Sequence, residues 1–313
     1  MILSLYVWIQ LKKKLKKRVS YQESLDFEYQ IANENGYSFD HLDLSGFNKE
    51  YKTITTRFGD LKLFKHGVGD TVIIYCHGIL SNNRNAIKFL DYCFSRNITL
   101  IAYDNFGWGE SAKFGKCTLG KKEADLLKDV IDFVKKDLKP KKLVIYGESM
   151  GGGTIYSFIS KYKNKIADKF IVDAGYNSFF DNVIQSGFKK VSYLIYLTYL
   201  FLPLLFLISH YPIKKFIKLK DFKNLNNVLH IQSKSDTLVN YNHAKKHLKY
   251  LKNQHIYSKN IRHCMGIDYL RDEHYKVLDK WIKVEKKIIK SAQLVLIFYI
   301  FKMITFLTIW TNN

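Results

Sequence analysis

A serine, a carboxylate and a histidine follow one another along this chain, each just past a run of β-branched and aromatic residues. The serine is Ser149 in VIYGESMGGGTI (144–155), where Gly147-Glu148-Ser149-Met150-Gly151 fits G-x-S-x-G. So short a pattern arises by chance; it carries chemistry only where a strand enters the turn and a helix leaves it. KLVIYG before it reads as a strand, and SMGGGTIYSFISKY after it reads as a helix. Small residues on both sides are what a strained turn of this kind requires, because larger ones would clash across it. The carboxylate is Asp236 in HIQSKSDTLVN (230–240), placed after a strand and a short polar loop, where an acid can orient an imidazole. Its bland alternative is to cap a helix starting near Asn240, and Asp173 in IVDAGYN is a rival acid at another strand end. Five histidines follow the acid. His243 and His247 fall on a helix, His255 opens a strand, and His274 lies inside the last helix as an expected surface or lid contact. His263, in the loop NIRHCMGID between the last strand and the last helix, is the one placed to reach a shared rim. Together these groups would make a hydroxyl nucleophilic through an imidazole whose tautomer a carboxylate fixes.

Acyl transfer also needs donors for the developing oxyanion. CHGILSNN follows the apolar run TVIIYC (71–76) and resembles a loop that offers one backbone N–H, here that of Ile79. Met150, next to the serine, would offer the second, and a pair of fixed donors is worth several kcal/mol of barrier. His77 is expected to brace this loop rather than react.

The order Ser149, Asp236, His263, with the HG loop, YDNFGWGES, GESMGG and SDTLV (235–239), resembles the α/β-hydrolase superfamily, from about residue 50 to residue 287. More narrowly it is similar to the serine aminopeptidase-like and lysophospholipase-like branch. One departure is Phe106, which stands where that branch's D-x-R-G pattern has arginine, two residues after Asp104. The resemblance implies an acyl-enzyme on Ser149, general base catalysis by His263, Asp236 as orienting acid, and no metal or organic cofactor.

These residues need a scaffold that brings distant loops to one edge. YKTITTRFGDLKLFKH (51–66) alternates around Gly59-Asp60 as an antiparallel hairpin. TVIIYC (71–76), ITLIAYD (98–104), KLVIYG (142–147), KFIVDA (169–174), NVLHIQS (227–233) and QHIYSK (254–259) read as strands, several of them apolar on both faces. Helices are expected at 83–96, at 121–138, after Ser149, near 241–252 and over 267–288. That alternation means α/β: a mostly parallel central sheet with helices on both faces, whose chemistry sits at the carboxyl ends of its strands. The boundaries expected are an N-terminal extension 1–50, a core of 51–177 and 223–288, a helical cap 178–222, and an apolar tail 289–313.

Composition narrows the partners. The net charge is +22, mostly from lysine; it reads either as lysine spread widely over the surface or as a face for an anionic membrane, since no nucleic-acid-binding signature accompanies it. Cys76, Cys93, Cys117 and Cys264 show neither C-x-x-C pairing nor ligand spacing, which fits a reducing, cytoplasmic setting. MILSLYVWIQLKKKLKKR is too short to span a bilayer and reads either as an interfacial helix or as one docked on the domain. Residues 191–209 are uncharged, but a single crossing there would put Ser149 and His263 on opposite sides of a membrane, so they are expected to roof the site. The tail, interrupted by Lys302, is expected to anchor at a membrane or to pack as a helix. The functions weighed are an esterase of acylglycerol or lysophospholipid type, an aminopeptidase, and a non-catalytic membrane-associated binding protein. Residues 182–220 hold no acidic side chain to receive a substrate ammonium, which counts against the second.

Overall fold

The computed structural model describes the chain apart from residues 1–4, 6, 7, 11, 14–16, 43, 45–48, 188–202, 210 and 285–313, and apart from the side chains of 184–187. Eight strands form one sheet: β1 (Glu50–Thr56), β2 (Gly59–His66), β3 (Thr71–Cys76), β4 (Ile98–Ala102), β5 (Lys142–Glu148), β6 (Lys169–Asp173), β7 (Val228–Ser233) and β8 (Asn253–Tyr257). Their spatial order is β1-β2-β4-β3-β5-β6-β7-β8. Only the β1–β2 and β2–β4 pairings are antiparallel. Helices among the described residues include α1 (Tyr21–Glu34), α2 (Leu90–Ser95), α3 (Lys121–Asp137), α4 (Met150–Tyr162), α5 (Phe179–Gly187), α6 (Tyr241–Leu248), α7 (Gly266–Tyr269) and α8 (Arg271–Ile282). This is the α/β-hydrolase fold expected from the sequence.

Strand alternation divides the core into two layers. Val72, Ile74 and Cys76 of β3, with Leu143 and Ile145 of β5, pack on the face covered by α3, where Leu126, Leu127, Val130, Ile131 and Val134 are all buried. Ile73, Tyr75, Val144 and Tyr146 turn to the other face, against Ile87, Leu90 and Leu278. Each aliphatic side chain so buried contributes about 1.5–3 kcal/mol relative to exposure. The registers Cys76↔Gly147, Glu148↔Asp173, Asp173↔Ile231 and Ser233↔Tyr257 bring the carboxyl ends of five strands level. Five loops therefore emerge along one rim.

Several local expectations shift. The hairpin turns at Arg57-Phe58, because Thr56 already pairs with Gly59. Packing sets that turn: Phe58 lies edge-on to Phe106, with ring centroids 4.8 Å apart, and Arg57 pairs with Asp129. The helix expected at 83–96 begins as a 3-10 turn over Asn83–Phe89, pinned where Asp104 accepts both the N–H and the side-chain amide of Asn83. The helix expected near 241–252 ends at Leu248. The expected last helix is two, α7 and α8, broken where Leu270 leaves helical space (φ −131°, ψ 50°); residues 285–288 of that expectation lie outside the described residues.

Part of the extension is docked. Ser20 and Glu23 form a capping box that starts α1. Tyr21 donates to Asp104 Oδ2 at 2.6 Å, and Glu28 accepts from Asn85 at 2.6 Å, so α1 is fastened to the segments after β4 and β3. In the cap region, α5 and residues 203–208 are helical. Phe179, Phe180, Phe206 and Tyr211 bury themselves there with Trp108, Met150 and Val239. Most of the apolar run 191–209, and the whole tail 289–313, lie outside the described residues. Among the described residues no helix is long and apolar enough to cross a membrane.

Candidate active site

Ser149 sits between β5 and α4 with φ +52° and ψ −107°, a backbone conformation that non-glycine residues rarely hold. Its N–H donates to the Asp173 carbonyl at 2.8 Å, which fastens the turn to the neighbouring strand. The flanking glycines are dictated by space. A Cβ on Gly147 would lie 2.4 Å from the Gly151 carbonyl oxygen, and one on Gly151 would lie 2.0 Å from that of Cys76. The turn is thus closed against its own helix at Gly147 and pressed against the end of β3 at Gly151.

Asp236 follows β7 and its side chain is wholly buried. Oδ1 accepts the backbone N–H groups of Leu238 and Val239 at 2.8 and 2.9 Å. Oδ2 accepts from Gln232 Nε2 at 3.2 Å and lies 2.7 Å from His263 Nδ1. The helix-capping alternative falls to Asn240 itself, whose side chain accepts from Asn242. Asp236 instead braces its own loop with one oxygen and holds an imidazole with the other. Facing that oxygen, Nδ1 is the nitrogen placed to donate, which leaves Nε2 as an acceptor.

His263 lies in the loop after β8, and Cys264 Sγ is 3.6 Å from its Nε2. The same Sγ is 3.6 Å from the Asp173 carbonyl, the one that accepts from Ser149 N–H. One carbonyl therefore joins the neighbourhoods of Ser149 and His263. Among the described residues no hydrogen bond yet closes between Ser149 Oγ and His263 Nε2. Such contacts commonly tighten only around substrate.

The expected oxyanion donors flank this point. Met150 is the first residue of α4, so its N–H lacks an intrahelical acceptor. The Gly78-Ile79 loop abuts Ser149: a Cβ on Gly78 would be 3.5 Å from Ser149 Cβ. His77 braces that loop. Its Nε2 accepts from Asn105 N–H at 2.9 Å, Nδ1 lies 2.7 Å from the Gly78 carbonyl, and burial lowers its pKa, keeping the ring neutral.

Below the serine lies a buried charged layer. Glu148 is paired with Lys88 Nζ at 2.8 Å and accepts from Tyr75 at 2.6 Å, so the carboxylate next to Ser149 is balanced by a cation and does not oppose an oxyanion. The rival acid Asp173 accepts from Tyr146 at 2.8 Å rather than meeting His263. Burial, then the charge of Glu148, pushes its carboxyl up to about 7. His274, expected at the surface, is instead fully buried between Tyr146 and Tyr257, and desolvation pushes its pKa down to about 3. His255 bonds Glu273, while His243 and His247 are buried with α6. Among the described residues no group of three or more His, Cys, Asp or Glu side chains is placed to hold a metal ion.

Two participants escaped the sequence. Gln232 ties Asp236 to the interior by also lying 3.2 Å from His230 Nε2. The only signal was a histidine and a glutamine at i and i+2 in an apolar strand, which places both on one face. Trp8 reaches the cap, its Nε1–H donating to Ser209 Oγ at 2.8 Å. Phe106, in place of arginine, is simply a core residue packed on Phe58 and Phe114.

Comparison with known proteins bears on the fold. Residues 69–196 match the family model described as serine aminopeptidase, S33. An uncharacterized protein of Bacillus subtilis strain 168, YqkD, is 29% identical over 147 residues, covering 45% of this chain and 46% of that protein. The chain thus matches less than half of that relative's length. Among solved structures, an esterase of Pyrococcus furiosus superposes with a TM-score of 0.58 at 20% identity, covering 77% of this chain and 95% of that one. A serine hydrolase without a lid from Xanthomonas campestris gives 0.51 at 16% identity, covering 74% and 94%. An esterase of Exiguobacterium antarcticum gives 0.52 at 15%, covering 74% and 99%. At these identities the likeness establishes the fold.

Proposed function

We propose that this chain, a member of the α/β-hydrolase superfamily, is a serine hydrolase of carboxylic esters bearing apolar acyl groups, of acylglycerol or lysophospholipid type. The observation that carries this reading is the 2.7 Å contact between His263 Nδ1 and Asp236 Oδ2, which leaves Nε2 as a base at the rim where Ser149 is held. Ser149 Oγ attacks the ester carbonyl carbon and its proton passes to His263 Nε2. Asp236 stabilises the imidazolium, and the N–H groups of Ile79 and Met150 receive the oxyanion. As the intermediate collapses, the bond to the leaving oxygen breaks and His263 returns the proton to it. Water then attacks the acyl-enzyme, giving its proton to His263, and the acid departs with Ser149 restored.

The acyl preference is supported by Trp108, Met150, Phe179, Phe180, Phe206 and Tyr211, which gather in one apolar cluster beside the nucleophile. The family model's description favours a second reading, a serine aminopeptidase. That activity wants a carboxylate for the substrate ammonium, and in the cap 178–222 only Asp181 and Asp221, at its two ends, carry one, Asp181 being paired with Lys215. A panel of p-nitrophenyl esters and aminoacyl p-nitroanilides, run on wild type and Ser149→Ala, decides. Esters alone should be turned over, and by the wild type alone. Turnover of only the anilides would replace ester with peptide, and no turnover of either would leave the non-catalytic reading.

A further inference from the structure

We propose that the N-terminal helical segment and the cap helix form one face that docks on an anionic phospholipid surface, above the site. The inference rests on the esterase reading for its substrate, since such a surface would present lipid esters to the serine, but the docking itself is independent of catalysis.

The two segments are joined where Trp8 donates to Ser209. Trp8 also packs against the cluster that holds Ile79, Leu80, Met150 and Phe206, so the joint lies over the oxyanion loop and the nucleophile. Outward from this joint the surface is apolar. Leu204, Leu207 and Ile208 stand at i, i+3 and i+4 on residues 203–208, on one side of that helix, and keep 56%, 61% and 63% of their surface exposed, while Phe206 points inward. On the N-terminal segment Leu5 and Ile9 are 42% and 38% exposed, at helical spacing i, i+4. The same spacing continues to Lys13 and Lys17, both exposed. Lys12 Nζ sits 3.8 Å above the Trp8 ring. A stripe that is apolar for its first turns and cationic for the next is what an interfacial helix needs: side chains enter the acyl boundary while lysines meet the headgroups.

Charge selects the occupant. Residues 1–22 and 182–220 contain no aspartate or glutamate. Lys13 and Lys17, on the same segment as Leu5 and Ile9, are exposed cations. Scattered surface leucines need no explanation, but five large aliphatic side chains on two helices fastened at one point, in segments free of carboxylates, fit an anionic apolar layer.

The test is co-sedimentation of the full chain with phosphatidylcholine vesicles, with and without phosphatidylglycerol, beside turnover of a short soluble ester. Wild type should bind the anionic vesicles, and salt should weaken the binding. Leu207→Asp and Ile9→Asp should each weaken it about tenfold or more, as expected for an aliphatic side chain withdrawn from the layer. Lys13→Gln should weaken it by about fivefold, and only where phosphatidylglycerol is present. All three should turn over the soluble ester as wild type does, which shows that they fold. Ser149→Ala should bind like wild type and lose turnover, and a wild type that binds vesicles but turns over no ester would count against the hydrolase reading alone. Failure of wild type to sediment, equal binding to neutral vesicles, variants that bind undiminished, or displacement by inorganic phosphate beyond that by chloride at equal ionic strength would each overturn the proposal.

Discussion

Replacing Asp236 by asparagine removes one charge and very little volume, and the surrounding donors decide what the new amide must do. Oδ1 receives two backbone N–H groups, from Leu238 and Val239. The asparagine must keep its oxygen there, so its NH2 takes the place of Oδ2. That group then faces His263 Nδ1 at 2.7 Å and the Gln232 amide nitrogen at 3.2 Å. Nδ1 can answer a donor only by surrendering its proton, so the proton moves to Nε2 and the imidazole can no longer accept from Ser149. Toward Gln232, two donors meet and a hydrogen bond is lost, at a cost of about 1–3 kcal/mol of stability. A wrong tautomer of this kind lowers kcat about 10⁴-fold, equivalent to about 5 kcal/mol of barrier. Steady-state ester hydrolysis, with urea unfolding of the same preparations, measures both quantities. A kcat within about tenfold of wild type, alongside the loss of stability, would mean that Asp236 only shapes its loop.

Two other substitutions probe the neighbourhood. Asp173 is held protonated by burial and by Glu148, so its folded-state pKa of about 7 lies above the ordinary 3.8. Its contribution to stability is therefore full below about pH 4 and is lost as pH rises through about 7. Asp173→Asn should melt close to wild type near pH 4 and above it at pH 8, while retaining ester turnover; a melting difference that does not change with pH would remove the assignment. Gly151→Ala would set a methyl 2.0 Å from the Cys76 carbonyl oxygen, with only backbone available to yield. Urea unfolding should show a loss beyond the about 1–3 kcal/mol of ordinary overpacking, and wild-type stability would mean that the turn is not pressed against β3.

Much of this site was legible because each part advertises itself through local chemistry. Gly147 and Gly151 stand where β3 and α4 leave no room for a side chain, and sequence patterning needs no partner information to find them. Alternation and apolar runs located the strands, and parallel strands with intervening helices bring their ends to one edge. What stayed hidden depends on contacts remote in sequence. His274 occupies a helix position that could face either way, and only the tyrosines of β5 and β8 make it interior. The turn at Arg57-Phe58 is set by Phe106 and Asp129, not by the adjacent Gly59. Gln232 looked like any polar interruption of a strand. The docking of α1 depends on Asp104 and Asn85, and Trp8 could not be linked to Ser209 by any spacing rule.

The central claim is that Ser149 is the nucleophile activated by His263. Its most direct test is to treat the full chain with a fluorophosphonate, digest it, and identify the modified residue by mass spectrometry. A single phosphonyl adduct on Ser149, abolished in His263→Ala, is the predicted result. An adduct on another residue, or labelling of Ser149 at an undiminished rate without His263, would contradict it.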